Sequence, residues 1–195
     1  MAQFEFFASP WWVNFFILVP FIAYASWHKR LSITWAVLIF AALFGIAFGF
    51  VEAAAVVYIR AASGLLTVEG EKLTEVAVQS SNMYQQAQVL ADLPAGLWKI
   101  EFFRELATMV MLLCVTMLGA RGTRERIALF LWSFATWDIF YYVGLWATIR
   151  WPASLTTPDV LFLIPVPWFS QVWFPMAVSA LIMGAVVLKK TKNHS

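Results

Sequence analysis

Five apolar stretches of membrane-spanning or nearly membrane-spanning length constrain this chain more than any other feature. They cover residues 11–27, 33–59, 98–119, 127–149 and 168–188. About 20 helical residues cross a hydrocarbon core of about 30 Å, and a helix satisfies its own backbone hydrogen bonds in lipid. The chain is 62% hydrophobic and only 12% charged, which is typical of an integral membrane protein. The sequence therefore predicts an all-α, polytopic membrane bundle of five transmembrane helices.

The basic residues of the connections predict an orientation for these helices. Lys and Arg concentrate at residues 28–30, 121–126 and 189–192, which all fall on one side of a five-span topology. Positive residues are retained on the cytoplasmic side, so we expect an extracytoplasmic N-terminus and a cytoplasmic C-terminus in a prokaryotic inner membrane. The chain shows no internal repeat and no domain boundary, and residues 1–195 are predicted to form a single transmembrane domain.

The two connections predicted outside the cytoplasm differ in character. Residues 71–90 carry apolar side chains at spacings of three and four, which predicts an extracytoplasmic amphipathic helix. The second connection has prolines at positions 152, 158, 165, 167 and 175, too many for a continuous helix. Because its segment 160–168 is nevertheless apolar, we expect a Pro-rich interfacial or re-entrant loop packed on the bundle. Asp159 is predicted to be a turn residue or a helix N-cap at the edge of this loop.

Small residues on the second span predict a close helix contact. Gly45 and Gly49 form a G-x-x-x-G pattern, the spacing that lets two helix backbones approach each other. We expect packing within the chain rather than dimerisation.

Four acidic residues lie inside the apolar stretches: Glu52, Glu101, Glu105 and Asp138. A charged side chain at the bilayer centre costs roughly 2.5 to 3.5 kcal/mol on insertion scales, so acids in such positions mark a candidate site. On a helix, residues four apart share a face, which joins Glu101 to Glu105 and Asp138 to Tyr142. Supporting residues in or near the predicted site are Arg60, Arg104, Tyr141, Tyr142 and Asn14.

Three interpretations of these acids remain open from the sequence. The first is a structural salt-bridge network, because polar groups inside a membrane bundle tend to pair with one another. The second is a metal site, and an all-carboxylate set would suit Mn, Fe or Ca. The third is proton or cation handling, because desolvation favours the protonated form of a carboxyl whereas a nearby guanidinium favours the ionised form. Both histidines, His28 and His194, lie at predicted cytoplasmic ends, which argues against bis-His haem.

The function predicted from these residues is correspondingly broad. We expect an integral membrane protein with a buried site of carboxylate, Arg and Tyr side chains in its extracytoplasmic half. This site is predicted to bind a metal ion or a small ligand, and the protein could on this basis be a membrane oxidoreductase. Trp137, Trp146 and Trp151 surround the Asp138 region, and an aromatic-walled pocket there would suit a lipid, quinone or pigment. The alternatives are a non-catalytic scaffold or proton-relay subunit of a membrane complex, and a cation-coupled transporter.

The expected partners are the lipid bilayer and other membrane proteins. A net charge of +2, without a run of basic residues interleaved with aromatics, argues against a nucleic-acid partner. The sequence contains no G-x-S-x-G, H-E-x-x-H or Walker motif, which argues against the enzyme classes that these motifs mark.

Overall fold

The computed structural model describes residues 4–62 and 95–191, apart from the side chains of residues 60–62, 95 and 97. A 3₁₀ helix, Trp11–Leu18, continues into α1 (Val19–Ser26), followed by α2 (Trp35–Ala62), α3 (Ala95–Gly119), α4 (Thr123–Ile149) and α5 (Trp173–Thr191). Helices α2 to α5 are long and apolar enough to cross a membrane, as the membrane-bundle class predicts. The apolar helix in the first predicted span, Trp11–Ser26, is shorter. The amphipathic helix predicted at 71–90 lies outside the described residues.

Helix α4 lies at the centre of the bundle and contacts α2, α3 and α5, while α1 packs on α5. The approach of α2 to α4 is close enough to require glycine. A Cβ atom at Gly49 would lie 2.7 Å from the carbonyl oxygen of Trp137 and 2.8 Å from the amide nitrogen of Tyr141. A Cβ at Gly45 would lie 2.9 Å from the Thr136 side chain. The close contact predicted from the G-x-x-x-G spacing is therefore confirmed, and it is intrachain.

Apolar side chains both fill the interior and cover the exterior of the bundle. Leu129 and Val186 are among the buried residues of one core cluster, and Leu145 and Trp151 belong to another. On the outside, the side chain of Leu118 is 90% exposed and that of Phe40 is 71% exposed. A contiguous apolar exterior of this kind suits contact with lipid and not with water.

The Pro-rich connection forms a β-hairpin where the sequence predicted an irregular loop. Strands β1 (Pro158–Phe162) and β2 (Trp168–Gln171) pair antiparallel, with Asp159 opposite Ser170. Pro165 and Pro167 lie between the strands, where the missing N–H removes no ladder hydrogen bond. The predicted start of the last span at 168 is therefore five residues early, because the apolar strand β2 precedes α5 and composition alone did not separate the two.

The two ends of the bundle are distinct. At the basic end, defined by residues 28–30, 121–126 and 189–191, the three Lys/Arg segments lie together. Arg30 Nε donates to the Lys190 carbonyl at 2.7 Å, and Arg124 Nη2 donates to the Arg30 carbonyl at 3.3 Å. The hairpin end, defined by residues 149–172, holds the two strands. The basic segments that the topology placed on one side of the membrane thus share one end of the fold.

Candidate functional site

An arginine-centred network joins α2 to α3. The Arg104 guanidinium forms an ion pair with Glu52 of α2 and another with Glu101, one turn earlier on α3. Its Nε lies 2.9 Å from Glu101 Oε2, and the Thr108 hydroxyl lies 3.3 Å from Glu52. Glu52 is buried, so its charge depends on these partners. The network places one cation between two carboxylates, which is the arrangement of a structural ion-pair cluster.

Glu105 follows Arg104 on α3, but its hydrogen-bond partner lies in the hairpin. The backbone N–H of Leu163 donates to Glu105 Oε2 at 2.8 Å. Both residues are buried, and the bond links α3 to the segment between the two strands. Because the amides between two strands have no ladder partner, a buried carboxylate supplies the acceptor that this turn needs.

A second buried bond fixes the hairpin to the central helix. The Tyr142 hydroxyl of α4 donates to Asp159 Oδ2 of β1 at 2.9 Å, and both side chains are buried. Asp159 is thus a buried strand residue and not the turn or cap residue that the sequence predicted. The available signal was its position at the start of an apolar run, where an acid requires a buried donor. Glu105 and Tyr142 together hold the hairpin against two helices.

Asp138 lies in a third environment, between α4 and α5. The Ser179 hydroxyl donates to Asp138 Oδ2 at 2.8 Å, and only 9% of the Asp138 residue surface is exposed. Both residues line a cavity of about 250 Å³, which we call the Asp138 cavity. Apolar and aromatic side chains make up almost all of its remaining wall, including Phe16, Phe134, Trp137, Leu161, Phe162, Trp168 and Phe174.

Two tryptophans of this cavity carry hydrogen-bond donors that no described residue satisfies. The indole N–H groups of Trp137 and Trp168 are buried and have no partner within residues 4–62 and 95–191. Trp137 is 8% exposed. A buried unsatisfied N–H costs about 1 to 3 kcal/mol, so such groups are rare in native proteins and call for an acceptor. The wall of the cavity therefore contains the Asp138 carboxyl, apolar side chains and two tryptophans whose N–H donors are unmatched.

Three further residues of the predicted site are Asn14, Tyr141 and Arg60. The Asn14 side chain forms local hydrogen bonds to the backbone. Its Oδ1 accepts from the Ala8 N–H at 2.8 Å, and its Nδ2 donates to the Ala8 carbonyl at 2.9 Å. The Tyr141 ring contacts the rings of Trp137 and Tyr142, with centroids 6.4 Å and 5.0 Å away. The side chain of Arg60 lies outside the described part of the structure.

The four acids therefore occupy three hydrogen-bonding environments. Two share Arg104, one accepts from the hairpin, and Asp138 faces its own cavity. Within the two described ranges, no three His, Cys, Asp or Glu side chains are grouped closely enough to hold a metal ion. The ion beside Glu52 and Glu101 is the guanidinium of Arg104. This geometry gives no support to a Mn, Fe or Ca site at these residues.

Comparison of the chain with protein-family models, with curated proteins and with solved structures gave no match.

Proposed function

We propose that this chain is an integral membrane protein that binds a small amphiphilic ligand in the Asp138 cavity. The observation behind the proposal is the unpartnered indole N–H of Trp137, buried in an apolar wall beside the Asp138 carboxyl. Ligand sites are typically apolar concavities with a few polar groups that fix orientation. A ligand head group with acceptor oxygens would satisfy the indole donors, and an apolar tail would match the wall. Lipids, quinones and carbonyl-bearing pigments share this chemistry.

The size of the cavity limits the part of the ligand that it holds. An apolar cavity of about 150 Å³ accommodates benzene, so a cavity of about 250 Å³ suits a substituted ring or a head group of similar size. Phe16 lines the cavity and is itself 40% exposed, which places part of the wall at the surface of the bundle. A tail leaving on this side would continue into the bilayer.

We further propose five spans in a prokaryotic inner membrane, with the hairpin end extracytoplasmic. A 3₁₀ helix rises about 2.0 Å per residue, against about 1.5 Å for an α-helix. The eight-residue 3₁₀ helix and the eight-residue α1 would together extend about 28 Å, close to the hydrocarbon thickness of about 30 Å. The 3₁₀ geometry would thus allow a sixteen-residue segment to cross. The basic end would then face the cytoplasm, as positive residues favour.

Ligand binding is testable with two probes that differ in their head group. Decylubiquinone offers a ring with carbonyl acceptors and an apolar tail, whereas decane offers the tail alone. In phosphatidylcholine nanodiscs, decylubiquinone should quench tryptophan fluorescence saturably and raise the unfolding temperature, and decane should do neither. Trp137→Phe removes one indole donor and should weaken quinone binding by about 2- to 10-fold, the value of one net hydrogen bond.

Cavity-filling variants provide the control. Val178→Trp would occupy the Asp138 cavity and should abolish the response, whereas Val143→Trp adds the same side chain at an exposed position of α4. An equal response to both probes, or an unchanged response in a folded Val178→Trp protein, would contradict ligand binding at this cavity.

A proton relay is the second candidate, because Asp138, Tyr142 and Asp159 follow one another toward the hairpin end. Tyr142 is one helical turn after Asp138 and is hydrogen-bonded to Asp159. Asp138→Asn separates the two candidates, since the amide keeps an acceptor for Ser179 but cannot release a proton. Retained quinone binding in this variant favours a ligand site. A transporter or a scaffold subunit has no comparable observation behind it among the described residues.

A further inference from the structure

A second groove runs between α3 and α4 toward the basic end, and it shares Met109, Phe130 and Leu131 with the wall of the Asp138 cavity. It has a volume of about 580 Å³ and is lined by Val110, Leu113 and Met117 of α3 and by Arg126, Ile127 and Phe130 of α4, among others. The wall is apolar along most of its length. Arg126 and the start of α4 stand at one end, where the connection from Gly119 to Thr123 joins the two helices.

The charge at this end of the groove is positive. Arg126 Nε donates to the Ala120 carbonyl at 2.9 Å, and its two terminal nitrogens have no partner among the described residues. Arg121 is exposed nearby in the same connection. Among the described residues of this end, the one acid is Glu125, which accepts from Arg124 at 2.7 Å and from Ser32 at 2.9 Å.

The N-terminus of α4 lies at this end of the groove, and its first turn contains Glu125. No side chain caps this helix at Gly122. The first N–H groups of a helix carry partial positive charge and favour anions, although this feature alone would not define a site. Because Glu125 already faces this terminus, the cationic end of the groove rests on the Arg126 guanidinium, and the rest of the groove is an apolar channel.

We infer that this groove binds an anionic phospholipid, with an acyl chain along α3 and α4 and the phosphate at Arg126. Basic pockets between transmembrane helices are suited to anionic head groups. Helix α3 is also the least covered of the four long helices, since only 22% of its most apolar window is buried inside the fold. A lipid is the occupant that matches both the apolar channel and the charge. The two sites share part of one wall, but Arg126 lines only this groove and Asp138 lines only the other cavity, so the phosphate site does not rest on the proposed Asp138 function.

Native mass spectrometry with two lipids of identical acyl chains tests this assignment. Dioleoyl phosphatidylglycerol should remain bound to the protein at energies that strip dioleoyl phosphatidylcholine, and it should raise the unfolding temperature more. Each basic residue near an anionic lipid surface contributes enough for about a fivefold change in binding, so Arg126→Gln should weaken phosphatidylglycerol binding about fivefold. Lys99→Gln removes an exposed charge near the opposite end of α3 and should leave binding unchanged.

A pair of tryptophan variants tests the channel itself. Leu113→Trp would obstruct the groove from a position that is 44% exposed, and it should reduce phosphatidylglycerol binding. Leu118→Trp places the same ring at a position that is 90% exposed and outside the groove, and it should have no effect.

Three outcomes would overturn the inference. Equal retention of the two lipids would show that the groove does not select for the head group. Normal phosphatidylglycerol binding by Arg126→Gln would show that Arg126 does not bind the phosphate. A stable dimer cross-linked through Cys114, the one cysteine of the chain, would assign this face to a second copy instead.

Discussion

Each of the four acids predicted as site residues has a partner in the fold, and Arg104 pairs with two of them. Taking an ion pair into a low-dielectric interior costs several kcal/mol per ion, and the mutual attraction offsets this only with good geometry. The Arg104 guanidinium spans the distance between Glu52 on α2 and Glu101 on α3. Its loss would leave two carboxylates near each other without a cation. Arg104 is therefore the residue on which this network depends most.

Substituting Arg104 should destabilise the fold, and removing Glu52 as well should recover part of the loss. We expect Arg104→Gln to cost about 3 kcal/mol, because breaking a buried pair leaves an uncompensated charge. The double variant Glu52→Gln/Arg104→Gln should be more stable than the sum of the two single changes predicts, with a coupling of about 1 kcal/mol. The free energy of unfolding in mixed micelles is the measurement.

Asp138→Asn is the control for this cycle, because Asp138 is bonded to Ser179 and not to Arg104. Its effect should add to that of Arg104→Gln within about 0.5 kcal/mol. A coupling energy between Arg104 and Glu52 below about 0.5 kcal/mol would show that their ion pair makes no net contribution to stability.

Two kinds of contact between elements hold the site in place. The α2–α4 contact is a backbone approach through Gly45 and Gly49, whereas the hairpin is held by side-chain bonds from Glu105 and Tyr142. The contact between α2 and α4 cannot adjust by rotating a side chain, because the atoms next to Gly49 are backbone atoms of α4. Without strong hydrophobic driving force in lipid, such close packing is a main source of helix association.

Gly49→Ala should therefore weaken the bundle although alanine is the better helix former. The added Cβ would meet the Trp137 carbonyl oxygen at 2.7 Å and force α2 away from α4. Overpacking of this kind costs about 1 to 3 kcal/mol. Unfolding by SDS titration should show the loss directly.

Gly184→Ala is the matched control on α5, where a Cβ would meet nothing within 4 Å. Its stability should stay the same or rise by up to about 1 kcal/mol, the intrinsic preference of a helix for alanine over glycine. Equal effects at the two positions would mean that α2 and α4 are not in tight contact.

At the scale of the whole molecule, the three basic segments lie at one end of the bundle and the hairpin with its buried hydrogen bonds lies at the other. The basic end gathers Arg30, Arg124 and Lys189 through backbone carbonyls, and the hairpin end carries the Tyr142–Asp159 bond. The Asp138 cavity reaches the hairpin through Leu161 and Phe162, while the groove between α3 and α4 extends to Arg126 at the basic end. Under the proposed topology, the two candidate sites would lie at different depths of the membrane.

Cysteine labelling tests this orientation in intact cells. In a Cys114→Ser background, Ser154→Cys would place a thiol at an exposed position of the hairpin end, and Arg121→Cys would place one at an exposed position of the basic end. A membrane-impermeant maleimide should label the first without permeabilisation of the inner membrane and the second only after it. The reverse pattern would mean that the basic end faces outward, against the positive-inside tendency.

The sequence by itself determined that the chain forms long helices apolar enough to cross a membrane, the approximate bounds of four of them, and the close intrachain contact at Gly45 and Gly49. These follow from length, hydropathy and spacing, which are local properties of a chain in lipid. The clustering of basic segments at one end also followed, because alternate connections of a spanning bundle return to the same side.

Only the tertiary structure decided which partner each acid takes. Helical spacing grouped Glu101 with Glu105, yet the first binds Arg104 and the second accepts from Leu163, which is distant in sequence. The strand pairing of Asp159 and the unmatched indole of Trp137 likewise depend on how separate elements meet. A periodicity reports the face of one helix, whereas a hydrogen bond between elements depends on their relative rotation and depth, which no local pattern encodes.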